Sequence, residues 1–205
     1  MPITSNSTHD STAHAAGDLC HHCGLCCTGL LFRHVRLGSS DKSFMETYEV
    51  QARESSSDGT VMRLPCSFRD GTSCRVYADR PRKCRSYSCI LRRQVSNGST
   101  GIAQARGIVD DLKILIHLMD PVLRNITGSG FYEMNFRDFC RRFAREARQR
   151  IADGTGLNEA EQQLIPIAFE VIKIIDRDFR ETGRLDDFED LLLAQDRWNP
   201  AGASV

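Results

Sequence analysis

Within eight residues, Cys20-His21-His22-Cys23-Gly24-Leu25-Cys26-Cys27, the chain places four thiols and two imidazoles. A stretch recruited for packing would show apolar periodicity, and only Leu25 interrupts this one with a large apolar side chain. Four further cysteines follow at Cys66, Cys74, Cys84 and Cys89, whereas the ninth, Cys140, stands apart. The eight between positions 20 and 89 read as one constellation, suited to metal ligation or redox chemistry.

Cys20, Cys23 and Cys26 are each separated by two residues, the spacing that lets neighbouring sulfurs converge on one ion. Cys27 is adjacent to Cys26 and should point elsewhere. Two outcomes are open. In one, two tetrahedral zinc sites share the eight thiolates. In the other, Cys20, Cys23, Cys26 and one distal cysteine hold an iron-sulfur cluster, although the later Cys-Pro of a bacterial ferredoxin run is missing. With eight cysteines at hand, His21 and His22 are expected beside the ligands or facing solvent rather than replacing a sulfur.

The formal net charge is zero, yet the charges are segregated. Nine Lys or Arg and two acids lie between Arg63 and Arg93, against eleven acids and five bases between Leu157 and Trp198. Eight thiolates with two divalent ions carry about −4, which the basic stretch offsets without any need for DNA or RNA. No classical finger helix accompanies it, so nucleic acid is not the expected partner. A phosphate-binding loop, a Gly-x-Ser-x-Gly elbow, a dinucleotide fingerprint and the strand–helix alternation of a thioredoxin are all missing from the pattern. No run approaches a membrane span, and the first nineteen residues lack the apolar segment of a secretory signal. The expected location is therefore the reducing cytoplasm, where clustered cysteines serve as ligands rather than disulfides.

The elements that must position these sulfurs are short. Leu30 to Leu37 suggests a strand ending in the turn at Gly38-Ser39-Ser40-Asp41, a short helix follows over 41–50, 54–59 reads as a loop, and Thr60 to Leu64 is a second strand running into Pro65-Cys66. Arg69-Asp70-Gly71-Thr72 is a tight turn able to bring Cys66 and Cys74 together. Asp79 and Pro81 suggest the cap and first turn of a short helix carrying Cys84. Beyond Gly101 the pattern becomes helical: Ile108 to Met119 first, with a break at Asp120-Pro121. Phe136, Phe139, Cys140, Phe143, Ala147 and Ile151 then make one stripe of the next helix, with Cys140 facing the core. A capping box at Asn158 and Glu161 starts another, which Pro166 kinks or divides, and a last helix covers about 187–198.

These residues resemble a known family. Cys20-x-x-Cys23-x-x-Cys26-Cys27 with Thr28-Gly29, then Pro65-Cys66, Cys74-Arg75-Val76-Tyr77, Arg80-Pro81-x-x-Cys84-Arg85 and Cys89, is similar to the CxxCxxCC cysteine-cluster proteins, also called YkgJ-like. The resemblance covers roughly residues 20 to 93. It implies zinc or iron chelation, an iron-sulfur cluster included, with Cys20, Cys23, Cys26, Cys27, Cys66, Cys74, Cys84 and Cys89 as ligands. Arg80 and Arg85 would support them by donating to sulfur or carbonyl groups. One branch of the family is associated with flagellin lysine N-methylation, so the alternative to a metal-binding protein is a cluster-dependent enzyme, a protein lysine N-methylase or a redox protein. The expected fold is α+β: a disordered tail over 1–18, a small irregular metal-organised cysteine domain with short strands over 19–95, a helical region over 99–198 and a flexible end over 199–205. A protein partner, if there is one, is expected on the helical region.

Overall fold

The computed structural model describes residues 7–180 together with 188, 189, 191 and 192. The fold is α+β, with a few short antiparallel strands toward the N-terminal side and helices after them. The chain divides into two units between Asp110 and Asp111.

In the first unit, helix α1 spans Ser7–Cys23. Residues 7–18, read from composition as part of a tail, are thus helical. The physical reason is visible at the end of the segment, where Ala16 and Leu19, one turn apart, are both buried and the helix packs on a later one, α4 (Ile90–Ser96), whose Leu91 and Val95 are buried in turn. Three strands, β1 (His34–Arg36), β2 (Ala52–Ser55) and β3 (Gly59–Arg63), form an antiparallel sheet in the order β1-β3-β2, with Val35 opposite Met62 and Arg53 opposite Val61. Strand β2 begins earlier than the loop read at 54–59 and absorbs Glu54, because the turn at Ser56–Asp58 closes a hairpin onto β3. The helix expected over 41–50 is α2 (Lys42–Thr47).

An apolar floor runs under the cysteine box. Leu25, Leu30 and Leu31 are at most 1 % exposed, and each fully buried leucine contributes roughly 1.5–3 kcal/mol. Thr28 sits among them at 2 % exposure because its hydroxyl donates to the Leu25 carbonyl at 2.9 Å and accepts the Leu30 amide at 3.3 Å. That turn lets the chain leave the box without burying an unmet polar group.

Helix α5 runs Ile102–Thr127 without interruption. The break expected at Asp120-Pro121 does not occur: His117, whose carbonyl Pro121 cannot satisfy, and Pro121 itself are both exposed, so water can take the orphaned acceptor. In the second unit α6 (Phe136–Ala152) and α7 (Glu159–Ile174) follow, and Pro166, also on an exposed position, does not divide α7. Phe131, Phe136, Phe139 and Phe143 stack in series with ring centroids 5.4, 6.2 and 5.5 Å apart, and Cys140 is buried beside them at 2 % exposure. Of the last expected helix, Phe188, Glu189, Leu191 and Leu192 are helical; the rest of it and the segment 199–205 lie outside the described residues.

Candidate metal centre

Cys20 and Cys23 occupy the last turn of α1, three residues apart and so on one face. Gly24 ends the helix with φ +67°, and its amide closes on the Cys20 carbonyl at 3.1 Å. A single 3₁₀ turn, Leu25–Cys27, then swings the chain so that Cys26 and Cys27 follow in quick succession. The Cys27 carbonyl accepts the Cys66 amide at 2.8 Å, which docks the first distal cysteine onto the box.

Beyond Cys66 the expected tight turn is present. Strands β4 (Arg69–Asp70) and β5 (Ser73–Cys74) pair antiparallel, with Arg69 opposite Cys74. Gly71 at the turn takes φ +55°, a conformation glycine adopts at little cost. Helix α3 (Arg82–Ser86) carries Cys84. Its cap is not Asp79, whose carboxylate instead accepts the Tyr48 hydroxyl at 2.7 Å. The role falls to Asp41, distant in sequence and 3 % exposed: Oδ1 accepts the Arg82 amide at 2.7 Å and Oδ2 the Gly38 amide at 2.9 Å. Cys89 caps α4, its sulfur accepting the Arg92 amide at 3.3 Å.

Burial and the neighbouring sulfurs set the protonation of the thiols. Burial raises the Cys26 thiol well above its ordinary range, and the neighbouring sulfurs of Cys23, Cys89, Cys20 and Cys84 raise it further. Cys27 and Cys66 share a hydrogen bond that holds the Cys27 proton in place and lowers Cys66; Cys26 and Cys74 add to the rise at Cys27. Burial pushes Cys84 up to about 12, with Cys66 and Cys74 contributing. Cys26 thus feels Cys20, Cys23, Cys84 and Cys89, whereas Cys27 feels Cys66, Cys26 and Cys74, and Cys84 feels Cys66 and Cys74. Among the described residues, no three Cys, His, Asp or Glu side chains converge closely enough to be read as a formed metal site.

The donor chemistry nevertheless fits a thiophilic ion. Eight clustered sulfurs are enough for two groups of four, each the complement of a tetrahedral zinc or iron-thiolate centre. Burial holds Cys26 and Cys84 protonated, so an ion bound by these sulfurs must displace protons. Four arginines from the basic stretch act on the sulfurs in the opposite sense: Arg92 on Cys20 and Cys89, Arg80 on Cys20, Cys74 and Cys84, Arg69 on Cys66, and Arg75 on Cys74.

Of the two arginines singled out by resemblance, Arg80 lies 3.6 Å above the Tyr77 ring and donates to the Tyr77 carbonyl at 2.5 Å. Arg85 is exposed. Arg92 was not legible from its own position, since Leu91-Arg92-Arg93 reads as ordinary helix surface. His21 packs against Tyr77 with centroids 4.3 Å apart, and His22 Nε2 lies 2.7 Å from Asp110 Oδ1. Cys140, in the other unit, is not among the eight.

Residues 19–103 match the family model CxxCxxCC, described as "Putative zinc- or iron-chelating domain". The matched stretch contains all eight clustered cysteines together with Asp41 and Arg92. No curated relative and no solved structure matches the chain. Among the described residues no helix is long and apolar enough to cross a membrane.

Proposed function

We propose that residues 19–103 are a metal-binding module that holds two zinc or iron ions on two sets of four thiolates, Cys20, Cys23, Cys26 and Cys89 in one and Cys27, Cys66, Cys74 and Cys84 in the other. The observation that supports this reading is the docking of Cys66 on Cys27, amide to carbonyl at 2.8 Å and thiol to thiol, while Cys26 has Cys20, Cys23 and Cys89 among its neighbouring sulfurs. A fully sulfur-ligated tetrahedral ion leaves no position for water, which favours a structural or storage role over hydrolytic catalysis. The arginines surrounding the sulfurs then compensate the charge of the filled sites, so the basic stretch serves the metal rather than a nucleic acid.

The test is anaerobic purification followed by elemental analysis and a visible spectrum. About two zinc or iron ions per chain, as eight thiolates in tetrahedral sites allow, is the expected result. Cys23→Ser should lose metal, whereas Cys140→Ser should keep it; equal loss in both sinks the ligand assignment. A brown protein with iron and acid-labile sulfide would replace the two-ion reading by an iron-sulfur cluster, and with it a redox or methyl-transfer enzyme.

A further inference from the structure

The basic residues around the cysteines are not equivalent. Arg93 donates from Nη1 to the Ser88 carbonyl at 2.6 Å at an exposed position, which makes it an ordinary loop clamp. Arg92, its neighbour, is half-buried. Its amide donates to Cys89 Sγ at 3.3 Å, and its Nη1 reaches the Tyr87 carbonyl at 3.4 Å. Its Nε is buried and has no hydrogen-bond partner.

A buried N–H of a permanently charged guanidinium without an acceptor is costly, and folded proteins seldom leave one. The backbone amide of Arg92 is fixed in the α4 cap and the guanidinium is tied by Nη1 to the Tyr87 carbonyl, so Nε cannot turn to water without breaking the latter. The sulfur beside Arg92 is that of Cys89, which already accepts the Arg92 amide at 3.3 Å. A neutral thiol is a poor acceptor, whereas a thiolate is a good one, and charge-assisted hydrogen bonds are the stronger class. The orphan donor and the sulfurs that become acceptors on ligation therefore belong to one arrangement.

We propose that Arg92 is the positioning residue of the Cys20, Cys23, Cys26 and Cys89 set, its Nε–H donating to the sulfur of Cys20 or Cys89 once that sulfur is a metal-bound thiolate. The inference rests on the two-site reading above. It distinguishes the sets: the first has a built-in N–H···S donor of its own, and Arg92 does not serve the second.

The experiment uses the full chain, loaded separately with zinc and with cobalt(II). Zinc affinity is measured by competition against a chromophoric chelator, and the cobalt–thiolate absorption is recorded in parallel. Removing an outer-sphere hydrogen bond from a metal ligand costs about 10- to 100-fold in metal affinity. Arg92→Met is expected to weaken one of two bound zinc ions by that factor, to leave the other unchanged, and to move the sulfur-to-cobalt charge-transfer band to lower energy, because a bare thiolate gives up electron density more readily. Arg92→Lys keeps the charge and the packing of the stem but has no donor at the Nε position, so it should fold as the parent does and shift affinity and band in the same direction. Arg93→Met should match the parent. Parent-like affinity and band position in Arg92→Met, or full recovery of both by lysine, overturns the proposal. A parent chain that binds neither zinc nor cobalt overturns the metal reading instead.

Discussion

A Cβ placed on Gly24 would lie 2.7 Å from both the Cα and the carbonyl oxygen of Thr72, so the end of α1 and the β4–β5 turn are in backbone contact. Gly24 also has φ +67°, so any L side chain there meets a second cost. This contact holds the cysteine box against the hairpin that joins Cys66 to Cys74. Gly24→Ala is therefore expected to weaken zinc binding at least 10-fold, about 1.4 kcal/mol or more, since backbone cannot yield as a flexible side chain can. Gly71→Ala is the contrast. Its φ is +55°, but nothing lies within 4 Å of a Cβ there, so only the left-handed cost of roughly 1–2 kcal/mol applies. Chelator competition on both variants checks the ranking, and equal effects would refute the contact argument.

Asp41 ties two remote segments together. Its carboxylate accepts the amides of Gly38 and Arg82, and at 3 % exposure water cannot replace it. Asp41→Ala leaves two backbone donors unmet, at roughly 1–3 kcal/mol for each buried group. Because α3 carries Cys84, the loss should also loosen the second thiol set. Asp79→Ala, which removes only an exposed acceptor from Tyr48, should cost under about 1 kcal/mol. Urea denaturation of the two variants measures the difference, and a smaller loss for Asp41→Ala than for Asp79→Ala would contradict the assignment of the cap.

In the helical unit the corresponding anchor is Glu161. At 6 % exposure it accepts Arg150 at 2.6 and 2.9 Å and the Asn158 amide at 3.0 Å, while Asn158 Oδ1 takes the Glu161 amide at 3.0 Å. The capping box and a bidentate ion pair thus share one carboxylate. Glu161→Gln keeps the size but gives up the charge and one of the paired acceptors, and should destabilise the helical unit by about 1.5–3 kcal/mol. Glu159→Gln, on the same first turn but outside the box, should change stability by less than about 0.5 kcal/mol. Helical circular dichroism against urea reads both.

Local signals in the sequence carried over well where one short stretch decides the outcome. The Asp70-Gly71 turn, the strand at 60–64, the Asn158–Glu161 box and the phenylalanine stripe of α6 all depend on neighbours within four or five residues. The failures depend on remote partners or on exposure. Asp79 has the composition of a cap, but Asp41, some forty positions earlier, reaches the Arg82 amide first. Pro121 and Pro166 look like breakers until their exposed setting is known. Cysteine spacing predicts that Cys27 points away from Cys26, but which distal sulfurs lie near each depends on how the hairpin and α3 fold back on the box, which spacing does not encode. Arg92 was hidden for the same reason: nothing local distinguishes it from Arg93.

Metal removal should separate the nine cysteines by chemistry. Seven of the eight clustered thiols are half-buried and Cys89 is nearly buried, whereas Cys140 lies in the phenylalanine core at 2 % exposure. Ligated thiolates react slowly with a disulfide reagent, and taking the ion away exposes them to attack. Treating the native, metal-loaded chain with a strong chelator is therefore expected to release eight fast-reacting thiols, with the ninth appearing only in denaturant. Because ligation contributes folding energy wherever the unfolded chain has no formed site, the same treatment should make residues 19–103 the first to be cut by a protease while the helical unit persists. Nine thiols reacting together on chelation would mean that the helical core depends on the metal as well. A count unchanged by the chelator would mean that the eight sulfurs hold no ion.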